Sequence, residues 1–336
     1  MTNSMNNPKT VILHHHLGIG DFIQHLPYIR AVAEKSRHGK VSVIARPSTL
    51  ADQILTTEEC VEHIIIYDRK PRPSEKRRGH HQGLDGMIRF TKELRTYGFD
   101  RILIISDRLN YQFLALAAGI PQRAAYGFQW YKRLLLNLPP YIQKHKSEGN
   151  PVYAELTDFM VKHGYADGPI VPKMKLPADQ IQKGAERLAN LPERRVAFAI
   201  GSSEPHKNLG TERFSRLATS LLQNGFGVVL IGGPAETQFA EDINSLIPED
   251  LQTGLICLCQ TDILLTAGVL KNCTFCTGND TGVLNLALAC DLPSIGYFGG
   301  RTRLRHDPLI QGMSAKTMED ITVEMILSKM RQNQWF

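Results

Sequence analysis

No apolar run in this 336-residue chain approaches the roughly 18 to 20 residues needed to span a bilayer. The start, Met1 to Thr10, lacks the basic residues and long apolar core of a secretory signal, so a cytoplasmic location is expected. Cysteine is scarce: Cys60 stands alone, and Cys257, Cys259, Cys273, Cys276 and Cys290 crowd the last third. That distribution suits reduced buried thiols rather than a disulfide framework. No recognition-helix pattern, zinc-finger spacing or aromatic RNA-binding motif accompanies the net charge of +6, which argues against nucleic acid as a partner. There is also no short-period repeat and no low-complexity tract.

What is present is an ordinary globular composition, 42% hydrophobic and 21% charged, in a chain long enough for two domains with a cleft between them. The first half alternates β-branched apolar runs with amphipathic stretches. Strands are expected at Val11–Leu13, Val41–Ala45, His63–Tyr67 and Arg101–Ile105, and helices at Phe22–Glu34, Leu50–Leu55, Met87–Tyr97 and Tyr111–Ala118. The two prolines of the Val171–Ala178 run mark the best linker. The second half repeats the theme. Its expected strands are Val196–Ile200, Val228–Ile231, Leu255–Cys259, Thr274–Thr277 and Ser294–Phe298; its expected helices are Glu212–Gln223, Thr237–Leu246, Ile263–Leu270, Val283–Ala289 and Ile321–Arg331. This alternation predicts an α/β protein of two Rossmann-like, doubly wound parallel-sheet domains, residues 1–172 and 173–336. The last helix is a candidate to pack back on the first domain.

Much of the positive charge sits in one Pro-broken loop, Arg69 to Arg78, followed by His80 and His81. It reads either as a solvated surface or as an electrostatic collector for an anionic acceptor or an anionic membrane surface.

Three strand-to-helix loops carry the chemistry. Leu17-Gly18-Ile19-Gly20-Asp21 follows the first strand; its glycines allow a tight turn, and Asp21 is expected at the helix N-terminus, where a carboxylate can cap. It is not the dinucleotide fingerprint, because Ile23 stands at the third glycine position. Gly201-Ser202-Ser203-Glu204-Pro205-His206-Lys207 offers hydroxyls, backbone amides and an ammonium, a set that suits a pyrophosphate. Thr277-Gly278-Asn279-Asp280-Thr281-Gly282 lies at the expected mouth of a parallel sheet. There Gly282 would let amides approach a phosphate, and Asp280 or Thr281 would hydrogen-bond a polyhydroxylated ring. Each loop also admits a plainer reading as a capped turn. A metal reading of Cys257, Cys259, Cys273 and Cys276 ranks below packing as small apolar side chains. The His14-His15-His16 run reads as structural or acceptor-lining before it reads as metal-binding.

Taken in order, these motifs resemble glycosyltransferase family 9, the ADP-heptose:lipopolysaccharide heptosyltransferases. The match runs over nearly the whole chain: Gly18, Gly20, Asp21 and Pro27; Gly201, Ser202, Ser203 and Lys207; the strand and Gly-Gly-Pro-x-Glu turn from Val228 to Glu236; and Asn279 to Gly282 with Leu286–Ala289 and the strand into Phe298-Gly299. Two positions depart from the family pattern: Asn285 replaces a usual His, and Asn208-Leu209 replaces the Trp or Arg-Trp after the loop lysine.

The resemblance implies a GT-B architecture and a metal-independent, inverting transfer with no cofactor. It implies ADP-heptose as donor and an anionic glycolipid of the lipopolysaccharide or lipooligosaccharide core as acceptor, reached at the inner face of the cell membrane. Asp21 becomes the catalytic base. Ser202, Ser203, Lys207, Glu236, Asp280, Thr281 and Gly282 become donor-binding residues in the second domain. Gly18 and Gly20, with Arg69, Arg72, Arg301, Arg303 and Arg305, become acceptor-side candidates in and beyond the first. The alternatives are a non-catalytic nucleotide-sugar-binding protein, a transferase acting on a protein, and a related GT-B epimerase.

Overall fold

The computed structural model of the chain describes residues 6–72, 75–145, 151–202, 204–300, 304 and 307–336. Ser203, Arg301, Arg303 and Arg305 lie outside the described residues. The chain divides between Pro172 and Lys173 into two compact units.

The first unit runs β1 (Thr10–His14), α1 (Ile19–Glu34), β2 (Val41–Ala45), α2 (Ala51–Ile54), β3 (Val61–Ile66), α3 (Gly83–Thr96), β4 (Arg101–Ile105), α4 (Leu109–Ala117), β5 (Gln122–Ala125) and α5 (Pro151–Lys162). Its five strands are all parallel, in the order β3-β2-β1-β4-β5. The inner strands β1, β2 and β4 read as near-continuous apolar runs because both faces of the sheet are covered there, while the edge strands β3 and β5 are more polar. On one face, Phe90 and Leu94 of α3 and Tyr111, Leu114 and Ala115 of α4 close over Val11, Leu13, Ile102 and Ile104.

The second unit runs α6 (Ala178–Arg187), β6 (Arg195–Ala199), α7 (Thr211–Gln223), β7 (Gly227–Ile231), α8 (Thr237–Ser245), β8 (Leu255–Leu258), α9 (Ile263–Lys271), β9 (Phe275–Asn279), α10 (Gly282–Ala289), β10 (Ser294–Gly299), β11 (Ile310–Ala315) and α11 (Val323–Gln332). Its six parallel strands are ordered β11-β10-β9-β6-β7-β8. The last helix, α11, buries Val323, Ile326 and Met330 in this unit's own core beside Phe214 and Leu217 of α7.

In each sheet the chain starts in the middle, winds out to one edge, then crosses back to build the other side. The reversal falls between β1 and β4 in the first unit and between β6 and β9 in the second. Such switch points leave a crevice at the carboxyl ends of the strands, where α/β proteins bind ligands.

Candidate active site

In the first unit the switch point is framed by the loop after β1 and the loop after β4. Asp21 is not the cap of α1. Gly18 holds the N-cap position with extended backbone and no side-chain hydrogen bond, and Asp21 lies within the first turn. Neither glycine is there for a left-handed turn: Gly18 has a φ of −82°, and Gly20 is buried inside the helix. The Asp21 carboxylate folds back over the start of α1, its Oδ2 3.2 Å from where a β-carbon on Gly18 would sit. An anion so placed interacts favourably with the helix dipole.

A histidine cluster adjoins this carboxylate. His14, at the end of β1, meets His25 of α1 with their Nδ1 atoms 2.7 Å apart. His15 donates from Nδ1 to the carbonyl of Ile105 at 2.7 Å, and His16 Nδ1 lies 3.9 Å from Asp21 Oδ2. Burial, reinforced by the neighbouring imidazoles, holds His14 and His25 well below the usual histidine range. Burial likewise lowers His15 to about 4 and His16 to about 3. At neutral pH the cluster is therefore uncharged.

Beside it lies a pocket of about 560 Å³ lined by His15, His16, Asp107, Arg108, Lys132 and Glu155, among others. Asp107 pairs with Lys132 and accepts from the backbone N–H of Phe128 at 3.0 Å, while burial pushes the Glu155 carboxyl up. Sequence reading passed over this group. Its one signal was Ser106-Asp107-Arg108 directly after a strand. Of the basic loop, Arg72 grips Asp52 through two hydrogen bonds of 2.5 and 2.6 Å. Arg69 instead lines a second pocket of about 500 Å³ together with Arg46, Lys70 and Arg77.

In the second unit three loops meet at the carboxyl ends of β6, β7 and β9. Asn279 is the last residue of β9, not part of a helix cap, and it is fully buried. Its amide donates to the carbonyls of Ile200 and Gly201 at 2.9 and 3.1 Å, and its Oδ1 accepts from Leu209 N–H at 3.0 Å. The side chain thereby braces both ends of the loop that carries Lys207. Gly278, with a φ of +153°, permits the close approach of β9 to β6: a β-carbon there would stand 2.3 Å from the Ala199 carbonyl oxygen.

Lys207 ends a 3-10 turn that opens with Pro205. It is only 5% exposed, and Glu204 on the same turn pairs with its ammonium. A buried cation needs such compensation. Ser202 Oγ donates to the Glu204 carbonyl at 2.6 Å. Glu236 accepts from the Gly233 N–H at 2.7 Å, and its carboxyl carbon lies 3.6 Å from the β-carbon position of Gly201. Thr281 caps α10 by accepting from Val283 N–H at 3.2 Å. Gly282 is then the first residue of α10, beside the half-buried Asp280. Asn285 donates to the Thr281 carbonyl at 3.0 Å. The lysine loop, the Glu236 carboxylate and the α10 N-terminus thus share one end of one sheet, a setting suited to a polyanion with a hydroxyl-rich attachment.

The cysteines are not uniformly buried as expected: Cys257 is exposed, Cys60 and Cys273 are half-buried, and Cys259, Cys276 and Cys290 are buried. Burial pushes the Cys259 thiol up to about 11 and those of Cys273 and Cys290 up to about 12. The buried Cys259, Cys276 and Cys290 pack as small apolar groups. Among the described residues no three His, Cys, Asp or Glu side chains are grouped to hold a metal ion, and no helix is long and apolar enough to cross a membrane.

The chain is similar to known proteins over most of its length. The chain is 26% identical over 277 residues to the lipooligosaccharide heptosyltransferase 2 of Haemophilus influenzae, covering 73% of this chain and 79% of that one. The structure of the E. coli ADP-heptose LPS heptosyltransferase II superposes with a TM-score of 0.76 at 17% identity, covering 96% of this chain and 98% of that one. An E. coli heptosyltransferase solved with ADP-2-deoxy-2-fluoro heptose gives a TM-score of 0.72 at 18% identity, covering 97% and 99%. The fold is the GT-B α/β fold of those structures. The model of glycosyltransferase family 9 (heptosyltransferase) matches residues 87–319, well over half of the sequence, and the chain belongs to that family.

Proposed function

We propose that this glycosyltransferase moves a heptose from ADP-heptose onto a hydroxyl of the lipopolysaccharide or lipooligosaccharide core, with inversion and without a metal ion. The observation that carries the reading is the buried ammonium of Lys207 at the β6/β9 switch point, with Glu236 and the α10 N-terminus at the same sheet end. A relative of known name is a lipooligosaccharide heptosyltransferase, and a structure of the same fold was solved with an ADP-heptose analogue.

In this reading the second unit holds the donor. Lys207, with Ser202, Ser203 and the N-terminus of α10, takes the diphosphate, which replaces Glu204 as the partner of the ammonium. Glu236 takes the ribose, while Asp280, Thr281 and Gly282 take the sugar and its phosphate. The first unit presents the acceptor beside Asp21. The acceptor oxygen attacks the anomeric carbon from the face opposite the leaving group, its proton passes to the Asp21 carboxylate, and the bond to the ADP oxygen breaks. Lys207 balances the charge that develops on departing ADP. In this reading the transfer takes place in the cytoplasm at the inner face of the cell membrane.

Incubation of the purified chain with ADP-heptose and a heptose-deficient core acceptor tests this. Release of ADP with the mass gain of one heptose on the acceptor is expected, and the new linkage should have the opposite anomeric configuration to the donor. Nucleotide binding without ADP release would instead make the chain a non-catalytic binder. Mass spectrometry of the core from cells lacking the protein should show the same residue missing; an intact core would move the acceptor to another molecule, such as a protein.

A further inference from the structure

Eleven large apolar side chains of the described residues are exposed, and nine of them belong to the first unit. Seven of those nine sit on three adjoining pieces of chain: Leu84 and Ile88 on α3, Phe113 and Leu116 on α4, and Trp130, Tyr131 and Leu134 on the 3-10 turn from Trp130 to Leu135. α3 packs on α4, and α4 packs on that turn. Leu84, Trp130 and Leu134 are 74, 72 and 75% exposed. These helices already bury Phe90, Leu94, Tyr111 and Leu114 against the sheet, so their outward residues form a second apolar stripe that the unit's own core does not use. A stripe of this size on a folded chain marks a surface with a partner.

The charge around it is predominantly positive. From Arg69 to His145 the sequence has fifteen Lys and Arg against five Asp and Glu, so this stretch more than accounts for the whole chain's net charge of +6. Arg78, Arg89, Lys92 and Arg95, on or beside α3, are exposed, whereas Lys132 pairs with Asp107 and Arg133 stacks on Tyr141.

We propose that the outer surface of α3, α4 and the Trp130–Leu135 turn docks on an anionic phospholipid bilayer. Aromatic side chains at the headgroup level, apolar ones just below it, and Lys and Arg reaching out to lipid phosphates are the features such a contact requires. A second copy of the chain would set this cationic face against itself, at an electrostatic cost that a negatively charged membrane reverses. The proposal rests on the lipid-linked acceptor reading for its purpose, yet docking itself needs neither donor nor acceptor.

Flotation with donor-free vesicles separates the two. The full-length protein should float with vesicles of phosphatidylethanolamine and phosphatidylglycerol and remain behind with pure phosphatidylcholine. Its tryptophan emission should shift to the blue on binding. Trp335 is stacked on Phe275, so the shift should come from Trp130 and vanish in Trp130→Phe, which should still float. The triple change Phe113→Ser, Trp130→Ser, Leu134→Ser should lower partitioning by at least about tenfold, since each exposed group would forfeit its burial in the acyl boundary. Its unchanged far-UV circular dichroism would show an intact fold. Undiminished flotation of the triple variant would overturn the proposal. So would equal binding to neutral vesicles, or a wild-type dimer in sedimentation that these substitutions dissociate. Failure here with heptosyl transfer to a soluble core intact would leave the proposed activity standing.

Discussion

Asp21 and Lys207 make different demands on their surroundings, and substitutions separate them. Asp21 stands in the first turn of α1, beside imidazoles held neutral by burial. Asp21→Asn keeps the shape and removes the base. Turnover of ADP-heptose should fall by about two to four orders of magnitude, the usual worth of a general base, while calorimetric affinity for ADP stays within about twofold; an active variant would reject the assignment. Lys207→Ala should act on the other quantity. A charge-assisted contact to a diphosphate contributes about 1.5 to 3 kcal/mol, so ADP should bind roughly ten- to a hundredfold more weakly. Because Lys207 is buried and paired with Glu204, the affinity is to be read beside a melting curve, and unchanged affinity in a folded variant would move the phosphate site elsewhere.

At the scale of elements, the close approaches are made by glycines, and they set the second unit's tolerance to change. α6 and α9 meet backbone to backbone: a β-carbon on Gly268 would stand 2.0 Å from the Gln180 carbonyl oxygen, and one on Gly184 would stand 2.2 Å from the Gly268 carbonyl carbon. No rotamer relieves a clash with main chain. Gly268→Ala should therefore cost about 1 to 3 kcal/mol, as overpacking does, and lower the melting temperature of the second unit by several degrees. Gly168→Ala, where a β-carbon meets nothing within 4 Å, is the matched control and should be near neutral. These contacts also mark the boundary of what the chain discloses by pattern. β1, β4 and β7 were legible because runs of Val, Ile and Leu fill them, and β6 because Val-Ala-Phe-Ala is uniformly apolar. β5, reading Gln-Arg-Ala-Ala, and β11, reading Ile-Gln-Gly-Met-Ser-Ala, carry almost no strand signal of their own; each is an edge strand whose neighbour supplies the pairing. α5 and α6 were missed for related reasons. α5 starts at a proline that serves as its first residue, and α6 is a mostly polar helix. The site divided the same way. Lys207 and the 279–282 loop were visible as motifs. The Asn279 brace and the pocket over Asp107 and Lys132 arise from pairings of residues 70 and 25 positions apart, which no local pattern contains.

For the whole molecule, two units with separate cores should respond to different variables. Among the described residues, the histidines lowered by burial, His14, His15, His16, His25, His81 and His163, all lie in the first unit. Burial places each folded-state value below the unfolded one, so the unfolded chain takes up more protons as the pH drops beneath about 6.5. Stability from this source is complete above that pH. It declines on acidification until the folded forms titrate, which for His15 and His163 is at about 4 and for His16 at about 3. The buried His14 and His25 together should contribute a loss approaching about 2.7 kcal/mol per pH unit below pH 6, two protons' worth. Glu155, whose carboxyl burial raises, opposes part of this; the depressed carboxylates Asp68 and Asp291 act only below their ordinary range near pH 4. ADP should do the converse, stabilising the unit that binds it by about 2.7 kcal/mol at a hundredfold excess over its Kd. Calorimetric melting at pH 7.5 and 5.5, with and without ADP, should show one transition that moves down with acid and ignores the nucleotide, and another that moves up with ADP. If acid and ADP instead shift a single transition together, the units melt cooperatively. If the ADP-sensitive transition is the one that Gly268→Ala leaves untouched, the donor belongs to the first unit and the assignment of Lys207 falls with it.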